Sequence, residues 1–261
     1  MNQDLIDRVG AVRREVRACD HDGQPARAIV AERAYDATVA DVWDAITSAE
    51  RIPRWFAPVS GELRLGGRFQ IEGNASGDIT ACDPPEHLAL TWEFAGQTSW
   101  VDVRLRESAD GVVLRLEHVA LVADIEAMAA QMGDFGPGAL GVGWDLALLG
   151  LDEHLRTGEA ARTEPWEAPA GDAAEFIRRC AVGWGEADIA AGTPEYEARA
   201  RAERVAAFYT GADPAAAHGG EADGGAPAEA HGAETARASG DDRAAGAAGG
   251  GRGDGEGAPA G

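Results

Sequence analysis

Residues 88–121 read LALTWEFAGQTSWVDVRLRESADGVVLRLEHVAL, and their alternation decides the fold. Leu90, Trp92 and Phe94, then Val101, Val103 and Leu105, then Leu114, Leu116 and His118 recur at every second position. Glu93, Asp102, Arg104, Arg115 and Glu117 fill positions between them. Extended chain points successive side chains to opposite faces, so this pattern predicts three strands with one buried and one wet face. Short turns such as Ser108 to Gly111 join them into an antiparallel meander. Outward from it, Gly77 to Cys82 reads as a further strand. Leu63 with Leu65, and Phe69 with Ile71, flank Gly66-Gly67 as a tight turn or bulge.

The period changes on either side of the meander. Asp124 to Met132 predicts a short helix, and Leu140 to Leu155 places Trp144, Leu148, Leu151 and Leu155 on one helical face, with Thr157-Gly158 as its stop. A helix with that face must lie on the buried side of the sheet. Upstream, Arg27 to Tyr35 reads as a first strand. Thr38 and Asp41 have the capping offset for a helix burying Val39, Val42, Trp43 and Ile46, and Pro53 ends it. Trp55 and Phe56 then sit in a turn between Pro53 and Pro58.

Leu5, Val9, Val12, Val16 and Cys19 stand at spacings of four and three, which predicts one amphipathic helix over residues 4–19. It packs on its own domain or forms a short dimer seam. Asp172 to Ala190 carries Phe176, Cys180 and Trp184 at helical spacing. A following helix is predicted from Thr193 as N-cap and Pro194, with Glu195/Arg199 and Glu197/Arg201 pairs. The expected organisation is an N-terminal helix (1–25), an α+β domain (26–158), a docked helical hairpin (159–210) and a disordered acidic tail (211–261). The tail is mostly Gly and Ala, with no Leu, Ile, Val, Phe, Trp or Met to bury.

Composition narrows the function. The 261 residues carry 45 acidic side chains against 23 basic ones, a net charge of −22, which repels nucleic-acid phosphates and anionic membrane surfaces alike. Three cysteines, Cys19, Cys82 and Cys180, are too few and too scattered for a disulfide framework or a metal knuckle. The first residues, Asn2, Gln3 and Asp4, lead into no signal-peptide core, so a cytoplasmic location is expected. The glycine pattern at Gly136 to Gly141 follows no buried strand, and Asp134-Phe135-Gly136 lacks every other kinase element, so neither carries nucleotide chemistry. The histidines lie without ligand spacing, and no metal or cofactor is expected.

The segment Tyr35-Asp36-Ala37 through Val42-Trp43-Asp44-Ala45 to Glu50-Arg51-Ile52-Pro53-Arg54-Trp55-Phe56, followed by Gly66-Gly67-Arg68-Phe69, resembles the SRPBCC superfamily (START/Bet v 1-like). More narrowly it is similar to the branch of activator of heat-shock protein 90 ATPase homologues, also described as polyketide cyclase-like. Cys82-Asp83-Pro84-Pro85 before Leu90-Thr91-Trp92-Glu93-Phe94, and Gly141-Val142-Gly143-Trp144 at a helix start, extend the likeness over residues 26 to 158. The resemblance implies a helix-grip fold, a curved antiparallel sheet wrapped around a long C-terminal helix. It does not select among carriers, cyclases, receptors and co-chaperone or stress-response domains.

A gripped helix leaves room beneath it. Gly141 and Gly143 are expected to open that room at the helix entrance, with Trp55, Phe69, Trp92, Phe94, Trp144 and Leu148 as its walls, unless these aromatics simply fill the core. His118 shares the buried face. It is either a core histidine bonded to a neighbour, or a ligand-orienting group or general base. Asp145, beside Trp144, either orients it or is a helix-surface or first-turn carboxylate favoured by the helix dipole. Three functions follow: binding of a small apolar molecule, a metal-free cyclase, dehydratase or hydrolase using His118, or a domain that touches a chaperone ATPase or another protein.

Overall fold

The computed structural model describes residues 3–160 and 171–212, which belong to one compact unit. The predicted tail, apart from its first two residues, lies outside them. In chain order the elements are α1 (Gln3–Gly10), β1 (Val12–His21), β2 (Gln24–Tyr35), α2 (Val39–Thr47), β3 (Val59–Gly61), β4 (Arg68–Ile71), β5 (Ser76–Asp83), β6 (His87–Phe94), β7 (Gln97–Ser108), β8 (Gly111–Leu121), α3 (Val122–Met132), α4 (Gly138–Thr157), α5 (Asp172–Ala190) and α6 (Glu195–Thr210). A short 3-10 turn, Ile52–Arg54, follows α2.

The strands form one eight-stranded sheet in the order β1-β2-β8-β7-β6-β5-β4-β3, antiparallel throughout. It curves around α4 as the helix-grip reading requires, and the registers agree with the alternation. Val101 faces His118 across β7 and β8, and Val103 faces Leu116. The inward set forms a continuous core with Val142, Leu148 and Leu151 of α4. Thr38 caps α2, its hydroxyl accepting from the Asp41 amide at 3.1 Å. Gly158 ends α4 in the left-handed conformation at φ 71°.

Three expectations are corrected. Residues 4–19 are not one helix: α1 stops at Gly10 and β1 begins at Val12. Val12 and Val16 are buried, but a spacing of four is also an even number, so it places both on one strand face. Asp22-Gly23 decides the matter. Both residues have positive φ (51° and 79°), and they turn β1 into β2 with His21 opposite Gln24, the two-residue hairpin that Asp-Gly favours. The sheet therefore starts well before residue 26. Second, Leu63 and Leu65 are not in a strand. They lie in the β3–β4 connection, where Gly66 donates to Ile79 O and Ile79 to Gly67 O, both at 2.9 Å. Third, the Thr193 hydroxyl does not cap α6 but donates to buried Asp188 at 2.7 Å.

α5 lies against the outer side of α4. Gly141 is where they meet closely: a Cβ there would fall within the indole of Trp184, which is fully buried. Beside it, Asp145 accepts from Trp184 Nε1 (2.9 Å) and from Arg14 Nε and Nη2 (3.1 and 3.0 Å).

Gly141→Ala is expected to lower stability by about 1–3 kcal/mol through overpacking. In a denaturant titration its cost should shrink when Trp184 is shortened to Leu, because the two changes share one contact. Asp145→Ala leaves Arg14 without its carboxylate, with the Val9 and Val12 carbonyls still accepting from it, and should cost about 3–5 kcal/mol.

Candidate functional site: an apolar chamber under the gripped helix

Between the sheet and α4 lies an apolar cavity of about 140 Å³. Its floor comes from Phe69, Ile79, Leu90, Val101, Val103, Leu114 and Leu116, its roof from Trp144, Ala147, Leu148 and Leu151. Ile46, Ile52, Trp55 and Phe56 close the side beside α2. The polar atoms of several wall residues turn elsewhere: Trp55 Nε1 donates to Ala45 O at 2.9 Å and the Thr47 hydroxyl to Trp43 O at 2.7 Å. A space with so few polar groups offers water little and a hydrocarbon much.

A second cleft, about 330 Å³, lies beyond this chamber toward α3 and α6. Phe56, Trp92 and Trp144 belong to the walls of both. Phe56 stacks on Trp144 with ring centres 6.1 Å apart, and Trp92 meets Trp144 at 5.3 Å.

His118 is 2% exposed and both its nitrogens are engaged. Trp144 Nε1 donates to Nδ1 at 3.1 Å, and Nε2 stands 2.8 Å from the Ser99 hydroxyl, which donates to Trp92 O at 3.1 Å. A hydroxyl has one proton to give, so the chain closes in one way: Trp144 to His118, His118 Nε2–H to Ser99, Ser99 to the backbone. The imidazole is neutral in this arrangement, and burial holds its pKa down at about 4.

The residues singled out in the sequence divide accordingly. Trp55, Phe69 and Leu148 line the inner chamber, and Trp92 and Trp144 line both. Phe94, His118 and Gly143 line the outer cleft alone, with Phe94 half exposed to solvent at 51%. Gly141 lines neither. The room it leaves is filled by Trp184, and a Cβ on Gly143 would lie 3.1 Å from the Tyr209 hydroxyl. Both glycines thus admit the C-terminal hairpin. Asp145 does not orient His118; it points to Arg14 and Trp184, and burial raises its pKa against the opposing pull of Arg14. Phe56, Ser99 and the α6 residues Val205, Phe208 and Tyr209 were not singled out. Ser99 carries a readable signal, the same parity as Val101 and Val103, whereas α6 carries none in its own sequence. Among the described residues, no group of three His, Cys, Asp or Glu side chains is placed to hold a metal, and no helix is long and apolar enough to cross a membrane.

The family model described as activator of Hsp90 ATPase homolog 1-like protein matches residues 36–156. Among solved structures, the crystal structure of CalU16 from Micromonospora echinospora is 33% identical over 70% of this chain and 99% of that one, with a TM-score of 0.54. Its solution NMR structure gives 32% identity, 70% and 97% coverage and a TM-score of 0.57. No curated protein matches the sequence. The family pattern spans α2 to α4, the elements that build the inner chamber, and the likeness to CalU16 runs along nearly all of that protein; the chain belongs to the activator of Hsp90 ATPase homolog 1-like family.

Proposed function

We propose that this protein binds a small, uncharged hydrophobic molecule in the chamber between the sheet and α4, as a carrier, sequestering protein or sensor. The observation that carries the reading is the apolar chamber itself, about 140 Å³ walled by aromatic and aliphatic side chains. A cavity of about 150 Å³ lined by such side chains stays dry and takes up benzene in another protein, which sets the size of group that fits. Transfer of apolar surface from water supplies the affinity, about 25 cal/mol per Å² buried, with little reorganisation of a chamber already formed.

The alternative, proton transfer by His118 in a cyclase- or hydrolase-type reaction, has less support. His118 does not line the inner chamber, both its nitrogens are engaged, and it stays neutral through the physiological range. Three free thiols, Cys19, Cys82 and Cys180, suit the reducing cytoplasm in which we place the protein.

Benzene, added as probe at 100 times its Kd, is expected to raise stability by about 2.7 kcal/mol, read as a higher melting temperature. Ala147→Phe fills the chamber and should abolish that shift; no shift with benzene or a panel of small neutral aromatics contradicts the proposal. A second expectation concerns acid. Unfolded, His118 takes up a proton near pH 6.5, but folded it does so only near 4, so between these values the unfolded chain binds more protons. Its contribution to stability is therefore present above about pH 6.5 and lost as the pH falls toward 4. His118→Gln should show a shallower loss of stability across that window in urea titrations, whereas equal slopes would remove the burial argument.

A further inference from the structure

We propose that the outer cleft is the second half of the same ligand site, so that the ligand is an elongated neutral amphiphile. A benzene-sized apolar end would sit under α4, a longer apolar portion between α3, α4 and α6, and the polar end at the mouth. This rests on the binding proposed above and extends it to the shape and chemistry of what is bound.

The two spaces are separated by single side chains, since Phe56, Trp92 and Trp144 face both. Trp144 is fixed by the regular backbone of α4 and by its bond to His118. The Phe56 ring has no polar atom to bond and is held by stacking alone, between Trp55, with ring centres 5.6 Å apart, and Trp144. Phe56 follows the 3-10 turn in a stretch without regular structure, and its ring lies nearly parallel to the indole of Trp144, 14° between planes. In the proposed site, rotation of the Phe56 ring is the movement that would join the chambers. In the outer chamber the walls are again apolar, and two of them are methionines, Met128 and Met132, whose unbranched chains adapt to different shapes. Apolar side chains stay in water at its mouth: Met132 is 62% exposed, Phe208 57% and Phe94 51%. Such exposure is unusual unless something covers it. None of the side chains lining the outer chamber is a carboxylate, a guanidinium or an ammonium, so a charged ligand would find no partner. Its exposed amide, Asn74, is instead suited to a hydroxyl or carbonyl at the ligand's polar end.

The outer chamber also gives a purpose to the C-terminal hairpin. Its far wall is Val205, Phe208 and Tyr209 of α6, beyond the residues 36–156 that match the family pattern. α6 is seated by the Tyr209 hydroxyl, which donates to Ala139 O at 2.8 Å, and by Val205 against Gly138. The family core forms the inner chamber, and the extension builds the outer one upon it.

Calorimetric titration with a series of phenyl-terminated primary alcohols of increasing chain length tests this on the whole protein. In the native chain, affinity should rise about fourfold per added methylene until the chain emerges from the mouth. Met128→Trp, which fills the outer chamber, should bind benzene like the native protein yet lose the gain with length. Phe208→Asp, an exposed substitution that places charge at the mouth, should weaken the long members only. Affinity independent of length in the native protein, or unchanged length dependence in both variants, overturns the two-chamber site while leaving binding of benzene intact. Failure of benzene itself to bind overturns the inner chamber and this inference together.

Discussion

Two adjacent residues on α4 hold the helix where it is. Asp145 is buried without access to water, and its carboxylate is held by Arg14 from β1 and Trp184 from α5. Trp144, one residue earlier and about 100° around the helix, points to the sheet and gives its indole proton to His118 on β8. A buried carboxylate separated from its partners is costly, and so is a buried imidazole left unbonded. The helix can neither sink onto the sheet nor lift from it without breaking one of these anchors. The gap under it is therefore a property of the fold and not a packing accident.

That constraint carries a penalty in stability. Apolar walls that do not touch forgo dispersion contacts, and an unfilled cavity weakens the folded state in proportion to its volume. A chain under selection for stability alone would fill about 140 Å³ with a larger side chain at Ala147. The small residue there lines the chamber together with Trp92, Leu114 and Leu116. Retaining space at the centre of the core is intelligible if something occupies it in use. The neutral chain from Trp144 through His118 and Ser99 to the Trp92 carbonyl ties two of the chamber's walls together without presenting a charge to it.

Much of this was legible in the sequence. Period two in β6, β7 and β8 and the apolar face of α4 define the grip, because both follow from which side chains must avoid water. The β1 strand was not legible from spacing. Val12 and Val16 satisfy helix and strand together, and only Asp22-Gly23, a hairpin turn that fixes the pairing, separates them. The glycines of α4 show a different limit. An absent side chain says that something comes close, but what comes close is Trp184 at Gly141 and Tyr209 at Gly143, and their identity is set by how α5 and α6 dock. The walls Trp55, Phe69, Trp92, Trp144 and Leu148 were readable from face and parity, while Phe56 as a shared wall and α6 as an outer wall depend on tertiary packing.

The central claim, that α4 is held off the sheet to leave an occupiable apolar chamber, is tested most directly by a crystal of the protein exposed to iodobenzene, with the iodine located by anomalous scattering. The account predicts a peak beneath α4, in contact with Trp144, Leu148 and Leu116, with the Trp144–His118 and Asp145–Arg14 bonds unchanged. Iodine found only on the surface, with α4 settled onto Trp92 and Leu116 and no space between them, would contradict it.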